Sequence, residues 1–316
     1  MLQNYLDFEE PIAVLEKKIE ELQSSELLSP EEISEEILKL NESAVKLTEK
    51  IYSNLSAWQN VQVARHPQRP HFLDYVEKVC DDFDESHGDR HYGDDRAVIG
   101  GLASIGDHKV MLIGHEKGRS TDEKIEHNFG MSQPEGYRKA QRLMKIAEQF
   151  DIPVISFVDT PGAYPGIESE ERGQSEAIAH NLRVMSSLKT PILVNVVGEG
   201  GSGGALALAV GDHITMMQYA TYSVASPEAC ASIVWRDSTK SPDAAEAMKL
   251  NAENILKLNL IDEVITEPLG GSHRNHDQAA LILKNSIIKN LKDLKSFETT
   301  DLIERRYTRL MGYGSL

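Results

Sequence analysis

Residues 198–212 read GEGGSGGALALAVGD and directly follow PILVNVV, which has the pattern of a buried strand. Glycines between an apolar strand and an apolar helix are typical of an α/β fold, in which the chain turns at the carboxyl end of a parallel strand. Their spacing fits three catalytic templates: a dinucleotide-binding turn, a serine nucleophile elbow centred on Ser202, and the start of a phosphate loop. The rest of the sequence must distinguish between them.

The same unit occurs once more upstream. IPVISFVD at 152–159 predicts a buried strand that enters the turn TPGAYPG, with an amphipathic helix before it at 135–150 and another helix after it at 171–189. Earlier still, AVIGGLASI and HKVMLIGHE predict a β-hairpin that turns at Gly106 and Asp107. The remaining patterns predict three short strands, at 213–218, 221–225 and 261–265. They also predict four helices, at 226–235, 244–260, 277–295 and 299–310. Alternating strands and helices indicate an α/β protein.

The first 50 residues are acidic and helical. They carry 13 acidic and five basic side chains, and their apolar residues recur every three or four positions in two separate sets. Ser29, Pro30 and Glu32 have the spacing of an N-cap, a first helical position and a capping box. We predict a helical hairpin, packed either on its own domain or on a partner. The expected domains are an acidic hairpin at 1–65, a catalytic domain at 66–296, and a C-terminal helix and tail at 297–316.

Composition excludes several functional classes. The chain has 316 residues, 40% of them hydrophobic, and contains no apolar run of the length that crosses a bilayer. Its net charge of −17 disfavours nucleic acid as the main ligand, because phosphate binding requires many lysines and arginines. The first residues lack the pattern of a signal peptide, and two distant cysteines provide neither a zinc cage nor a disulfide framework. We expect a soluble cytoplasmic protein that binds neither membrane nor metal.

Two of the three templates fail against the sequence. A phosphate loop ends in Gly-Lys-Ser/Thr, whereas Gly203 is followed by glycine and alanine. A dinucleotide turn requires an acidic residue about 20 positions later, where this chain has Gln218 and Tyr219. The serine elbow remains an alternative, with Asp212, Asp237, His213 and His273 as possible triad partners. A non-catalytic scaffold that recruits partners through its acidic helices is a second alternative.

A third interpretation assigns the chemistry to the backbone. The start of a helix leaves N–H groups without intrahelical partners, and glycines there expose these donors to an oxyanion. Two donors of this kind, one from a glycine turn and one from a helix start, would stabilise an enolate or urea oxyanion by a few kcal/mol. The simpler explanation, that the small residues only allow close helix packing, also remains open.

Six motifs together carry a resemblance to a known family. They occur in the order NFGMSQPEGYRKA, DTPGAYPG, EERGQSEAIA, GEGGSGGA, TYSVASPEACASIVW and EPLGGSHR. With DFEEP near the start and RRYTRLM near the end, the chain resembles, over almost its whole length, the carboxyltransferase α subunit of multi-subunit, bacterial-type acetyl-CoA carboxylase. The resemblance implies a crotonase-like fold, a superhelix of stacked ββα units. It also implies an α2β2 assembly with a separate β subunit, whose four-cysteine zinc ribbon has no counterpart here.

The family's reaction transfers a carboxyl group from carboxybiotin, borne on the biotin carboxyl carrier protein, to acetyl-CoA, giving malonyl-CoA for fatty acid biosynthesis. Biotin carboxylase is the further member of the larger, ATP-dependent complex. Biotin itself serves as the base in this reaction, so no catalytic side chain is required. By resemblance, Gly203 and Gly204 donate to the biotin ureido oxygen, and Gly162 with Ala163 forms the facing wall. Further expected contacts with the substrates come from Gly200, Gly201, Ser202, Ala205 and Tyr164.

Side chains near the turns permit weaker hypotheses. A group of basic residues between 117 and 142 could face the phosphates of CoA, and within it we single out Lys117 and Arg119. Tyr164, Glu170, Arg172 and Gln174 are expected mainly to brace the loop. A run of residues has the composition of a metal site: His87, Asp89, His91, Asp94 and Asp95. Because this run falls in a turn-rich segment, we predict no metal in this chain.

Overall fold

A pair of contacting helices opens the chain. The computed structural model describes residues 4–24 and 30–314. Helices α1 (Glu10–Gln23) and α2 (Pro30–Tyr52) pack against each other as predicted from their apolar spacing. The proposed cap Ser29 and the side chain of Glu32 lie outside the described residues.

The hairpin docks on its own chain at one end. Ile12 of α1 and Tyr52 of α2 share a small apolar cluster with Val63 and Tyr219. The rings of Tyr52 and Tyr219 meet edge to face with their centroids 5.4 Å apart, a favoured aromatic geometry. The structure therefore places this end of the hairpin on the main domain.

One mixed sheet forms the centre of the molecule. After α3 (Ala57–Ala64) and α4 (Phe72–Val79), the strands β1 (Asp82–Glu85), β2 (Val98–Ile105) and β3 (His108–His115) pair antiparallel. The next members, β4 (Val154–Thr160), β5 (Ile192–Gly201), β6 (His213–Met217) and β8 (Glu263–Ile265), continue the sheet in parallel. The short β7 (Thr221–Ser223) pairs with the far end of β5. The hairpin predicted at Gly106 is confirmed, whereas the polar edge strand β1 was not predicted.

Helices cover both faces of this sheet. Phe72 of α4 packs against Gly114, while Leu143 of α6 (Pro134–Gln149) packs against Gly100 beside Ile113. Neighbouring residues of a strand point to opposite faces, so α4 and α6 lie on opposite sides. The other helices are α5 (Thr121–Glu126), α7 (Ile167–Glu171), α8 (Gln174–Ser187), α9 (Ser202–Leu206), α10 (Pro227–Trp235), α11 (Ser241–Met248), α12 (Ala252–Lys257), α13 (His276–Leu294) and α14 (Thr299–Gly312).

Two helix predictions were wrong in extent. The segment 244–260 forms two helices, because Lys249 adopts a left-handed conformation with φ of 51° and the Asn251 side chain caps a new helix. The apolar run after the glycines continues as helix only to Leu206. Beyond it, the carbonyls of Ala207 and Leu208 accept hydrogen bonds from the side chains of Asn181 and Ser156. These side chains satisfy carbonyls that a longer helix would have bonded internally.

The C-terminal helix α14 is anchored by a buried arginine. All five N–H donors of Arg306 are used: two reach the Asp212 carboxylate, and three reach the carbonyls of Met185, Leu188 and Thr190. A fully satisfied guanidinium is the form in which this charge can be buried. Among the described residues, no helix combines the length and the apolar character that crossing a bilayer requires.

Candidate active site

The two glycine turns meet at the carboxyl ends of neighbouring strands. β4 enters the turn at 160–166 and β5 enters the turn at 198–204, and Thr160 pairs with Gly200 between them. Ligands of open α/β sheets bind outside the carboxyl ends of the strands. The topology therefore joins the two segments that the sequence had singled out.

Backbone rests directly on backbone where the turns touch. A Cβ atom at Gly204 would lie 2.6 Å from the Ala163 nitrogen, and one at Gly201 would lie 2.2 Å from the Pro161 carbonyl oxygen. Both distances are much shorter than van der Waals contact, so these positions require glycine. The requirement comes from a neighbour about 40 residues away in sequence, not from local turn geometry.

Free amide donors remain at this junction. The N–H groups of Gly162 and Tyr164 donate to Thr160 Oγ1 and to the Ser132 carbonyl, both at 3.0 Å. The N–H of Ala163, which lies between them, has no acceptor among the described residues. On the other side α9 begins at Ser202, and the first N–H groups of a helix have no acceptor within it. Both turns thus have donors available for a ligand.

A cavity of about 640 Å³ is lined by both turns. Its walls include Gly162, Ala163, Ser202 and Gly203. A second cavity of about 620 Å³ shares Ser202 and Gly203 with the first and has mainly apolar walls, including Tyr222. Gly203 thus lines both cavities, while Gly204 is buried and lines neither.

The other predicted contact residues differ in position. Gly200 and Gly201 line a narrow pocket beside Arg65, whereas Ala205 is completely buried. The backbone of Tyr164 is tied to the helices behind it, because the Gln174 side chain donates to its carbonyl oxygen at 2.9 Å. Arg172 likewise pairs with Glu135 at 2.7 Å. These contacts fit the bracing role expected for the loop.

Lys117 belongs to a network of charges beneath the turns. Its ammonium lies 2.7 Å from Asp159 and 2.9 Å from Glu199. Glu199 also accepts from Arg65 at 2.5 Å, and Arg65 reaches Glu228 at 2.6 Å. Lys117 therefore has two carboxylate partners already, which argues against a free phosphate-binding role for it.

The second predicted phosphate ligand is also partnered. Arg119 is paired with Asp74 and donates to the carbonyls of Pro67 and Arg69. A role for Arg119 or Lys117 at the CoA phosphates stays a prediction, since phosphate would have to compete with these acceptors.

The network also shifts the pKa values of its members. Burial alone would raise the pKa of Glu199, but the adjacent charges of Lys117 and Arg65 outweigh it and lower the pKa to about 2. Burial would lower the pKa of Lys117, yet Asp159 and Glu199 raise it above the usual range. Both groups are thus charged at neutral pH, so neither is suited to take up or release a proton in catalysis.

The residues of the serine-elbow alternative do not assemble. Ser202 has the positive φ of a strained turn, 52°, and is exposed. No histidine occurs among the described residues that line either cavity. Asp212 is committed to Arg306, His213 faces Asp262 and Glu263, and His273 lies near Glu9. Among the described residues, none of the proposed triad partners lines a cavity beside Ser202.

Residues of metal-ligand type are engaged elsewhere. In the predicted turn-rich segment, Asp89 and Asp94 pair with Arg138 and Lys139. Within the part of the chain that the structure describes, a group with the spacing of a metal site occurs at Glu9, His66 and His273. Both ring nitrogens of His66 are in use there, one on the Asn4 carbonyl and one on the Gln68 N–H.

Sequence reasoning missed four charged residues of the site. Asp159 and Glu199 lie in the last three residues of β4 and β5, so the position of parallel strand ends could have identified them. Arg65 and Glu228 gave no such signal, because they lie far from the glycine motifs in sequence. The fold alone brings Arg65 to the cavity.

Solved structures share this fold. A Pseudomonas malonate decarboxylase hetero-tetramer in complex with coenzyme A superposes with a TM-score of 0.59 at 13% identity, over 77% of this chain and 93% of the matched chain. Transcarboxylase 12S with methylmalonyl-coenzyme A and methylmalonic acid bound gives a TM-score of 0.54 at 19% identity, over 69% of this chain but 42% of that chain. The crotonase-like fold expected from the sequence is confirmed.

Sequence comparison extends over nearly the whole chain. The model of the acetyl co-enzyme A carboxylase carboxyltransferase-like family matches residues 5–314. The acetyl-coenzyme A carboxylase carboxyl transferase subunit alpha of Alcanivorax borkumensis is 57% identical over 99% of this chain and 97% of its own length. The protein of the same description from Chromohalobacter salexigens is 58% identical over 99% and 98%. With these matches and this fold, the chain belongs to the acetyl-CoA carboxylase carboxyltransferase α family.

Proposed function

We propose that this chain is the α half of a carboxyltransferase that completes its active site with a separate β subunit and converts acetyl-CoA to malonyl-CoA. Matches to α subunits at 57–58% identity over 99% of this chain support the assignment. The observation that carries the mechanism is the convergence of two glycine turns, with unpaired amide donors, on one cavity. Fatty acid biosynthesis in the cytoplasm is the corresponding pathway and location.

The cavity fits a small polar ring with an exposed carbonyl oxygen. Its volume is about 640 Å³, and Ala163, which lines it, has a backbone N–H without an acceptor among the described residues. Biotin, delivered by a carrier protein, would supply the carboxyl group and then the base for the acetyl proton. The chain's own task is to hold the ureido oxygen with amide donors, which stabilise negative charge best when preorganised and shielded from water.

Exposed apolar side chains support a second subunit at this surface. Val224 and Leu206, which line the apolar cavity, are 83% and 44% exposed, and Ile233 of α10 is 77% exposed. Contiguous exposed apolar surface in a soluble protein is typical of an interaction site. We propose that the β subunit, with its zinc ribbon, covers this surface in an α2β2 assembly, and that the carrier protein and biotin carboxylase join the larger complex.

Reconstitution tests the proposal. The chain, its β partner and both together should be assayed for carboxylation of free biotin that depends on malonyl-CoA. Activity is expected only when both subunits are present, and Ser202→Ala should retain most of it because no histidine lines either cavity beside the hydroxyl among the described residues. Ester hydrolysis by the isolated chain, abolished by Ser202→Ala, would instead support the hydrolase alternative. Full activity of either subunit alone would contradict a shared site.

A further inference from the structure

Arg65 is the cationic side chain that lines the glycine cavity. It is the sole cation among the described residues of that wall, which it shares with Gly162, Gly203 and Glu228. Its side chain is 31% exposed, so the guanidinium can be reached from the cavity. The residue comes from the segment directly after α3, far from the glycine motifs in sequence.

Two carboxylates hold the guanidinium in different ways. Glu199 binds its Nε at 2.5 Å and is itself deeply placed, with a side chain 12% exposed. Glu228 binds NH1 at 2.6 Å and has a second, longer contact to NH2 at 3.5 Å. Its side chain is 40% exposed and projects from the first turn of α10. Glu199 is therefore a fixed partner, whereas Glu228 can turn into solvent.

The local charge favours a substrate carboxylate that replaces Glu228 on Arg65 over one that binds in addition to Glu228. Lys117 and Arg65 carry two positive charges, and Asp159, Glu199 and Glu228 carry three negative ones. A further carboxylate bound beside Glu228 would meet uncompensated negative charge. If it replaces Glu228 on the guanidinium, the local charge is unchanged and the bidentate geometry that carboxylates prefer on arginine is retained.

From this arrangement we infer that Arg65 binds the carboxylate under transfer, and that Glu228 occupies the guanidinium until this carboxylate replaces it. This inference rests on the function proposed above and names the residue that recognises the transferred group. Glu228 would then act as a positioning residue, because it keeps Arg65 oriented toward the cavity between turnovers.

Binding measurements on the assembled complex test the exchange. Malonyl-CoA carries the carboxylate and acetyl-CoA lacks it, so the pair isolates this group, and calorimetry reports affinity without turnover. Arg65→Gln should weaken malonyl-CoA binding about 10- to 100-fold and leave acetyl-CoA binding unchanged. Glu228→Gln should strengthen malonyl-CoA binding about threefold, because the competing anion is gone. Arg65→Lys should fall between wild type and Arg65→Gln.

Arg65→Gln and Glu228→Gln are expected to change the affinity for malonyl-CoA in opposite directions, and this distinguishes carboxylate recognition from structural support. If the Arg65–Glu228 pair only stabilises the fold, both variants should weaken binding of both ligands and lower the melting temperature together. Arg96→Gln breaks another arginine–glutamate pair, with Glu126, at an exposed site and is the matched control.

The inference and the proposed function fail in different ways. A wild-type complex without malonyl-CoA-dependent carboxylation of biotin would refute the function itself. An active wild type whose Arg65→Gln variant binds both ligands normally, or whose Glu228→Gln variant loses malonyl-CoA affinity, would refute only the exchange at Arg65.

Discussion

At the scale of single residues, the site depends on the glycine positions at which a Cβ atom cannot be accommodated. The Gly204 backbone lies against the Ala163 nitrogen, so the two turns approach more closely than any side chain would permit. Gly203, one residue earlier, is different: a Cβ there would meet Ile178 at 3.6 Å, an ordinary contact. Adjacent glycines in one motif therefore have different physical roles.

This difference predicts opposite tolerances for the same substitution. Gly204→Ala should displace the 162–163 peptide and its amide donor, lowering kcat by about 100- to 1000-fold, the cost of losing an oxyanion donor. Gly203→Ala should lower it less than about tenfold, because the backbone need not move. Steady-state rates of the reconstituted complex measure both effects. Equal losses in the two variants would show that the turn contact does not position the donor.

At the scale of elements, helices are positioned by buried polar anchors as well as by apolar packing. α14 is amphipathic, but Arg306 also anchors it through hydrogen bonds. Its guanidinium binds Asp212, which directly precedes β6, and the carbonyls of Met185 and Leu188 at the end of α8. The amphipathic pattern predicted the helix correctly. It gave no indication that its most buried side chain would be an arginine.

Removing this anchor should destabilise the fold. Arg306→Met leaves the buried Asp212 carboxylate without its countercharge and removes the donor to three carbonyls, so the free energy of unfolding should fall by about 3–5 kcal/mol. Arg305→Met is the neighbouring control, since Arg305 lies over the Phe297 ring at 4.0 Å and should contribute about 0.5–1 kcal/mol. Urea denaturation compares the two. A similar small loss in both variants would contradict an anchoring role for Arg306.

At the scale of the whole molecule, buried histidines couple stability to pH. Burial lowers the pKa of His115 to about 4, and burial together with the nearby His273 lowers that of His66 to about 4. In the unfolded chain both would titrate near 6.5. Between about pH 6.5 and 4 the unfolded state therefore binds more protons, and stability falls as pH falls. Carboxylates such as Glu199, whose pKa is lowered from 4.5 to about 2, lose their contribution to stability as pH falls from about 4.5 to 2.

This linkage predicts a specific pH profile. The free energy of unfolding should decrease between pH 6.5 and 4, by about 3 kcal/mol for each of these two histidines. His115→Gln and His66→Gln should each flatten the decrease, and the double variant should be the flattest. Denaturation curves at several pH values measure this slope. Profiles that run parallel to the wild type would mean that other groups govern acid stability.

The sequence by itself determined the alternation of strands and helices, the hairpin at Gly106, the two glycine turns and the family. These features follow from local periodicity, turn chemistry and motifs that are contiguous in the chain. The lengths of α9 and α11 were mispredicted, because carbonyls bonded by Asn181 and Ser156 and a left-handed Lys249 ended helices whose apolar pattern continued. Only the tertiary structure decided which groups share the cavity. Arg65 reaches Glu199 across 134 residues and Glu228 across 163, and such pairing depends on strand order and on the docking of α3, which no local pattern encodes.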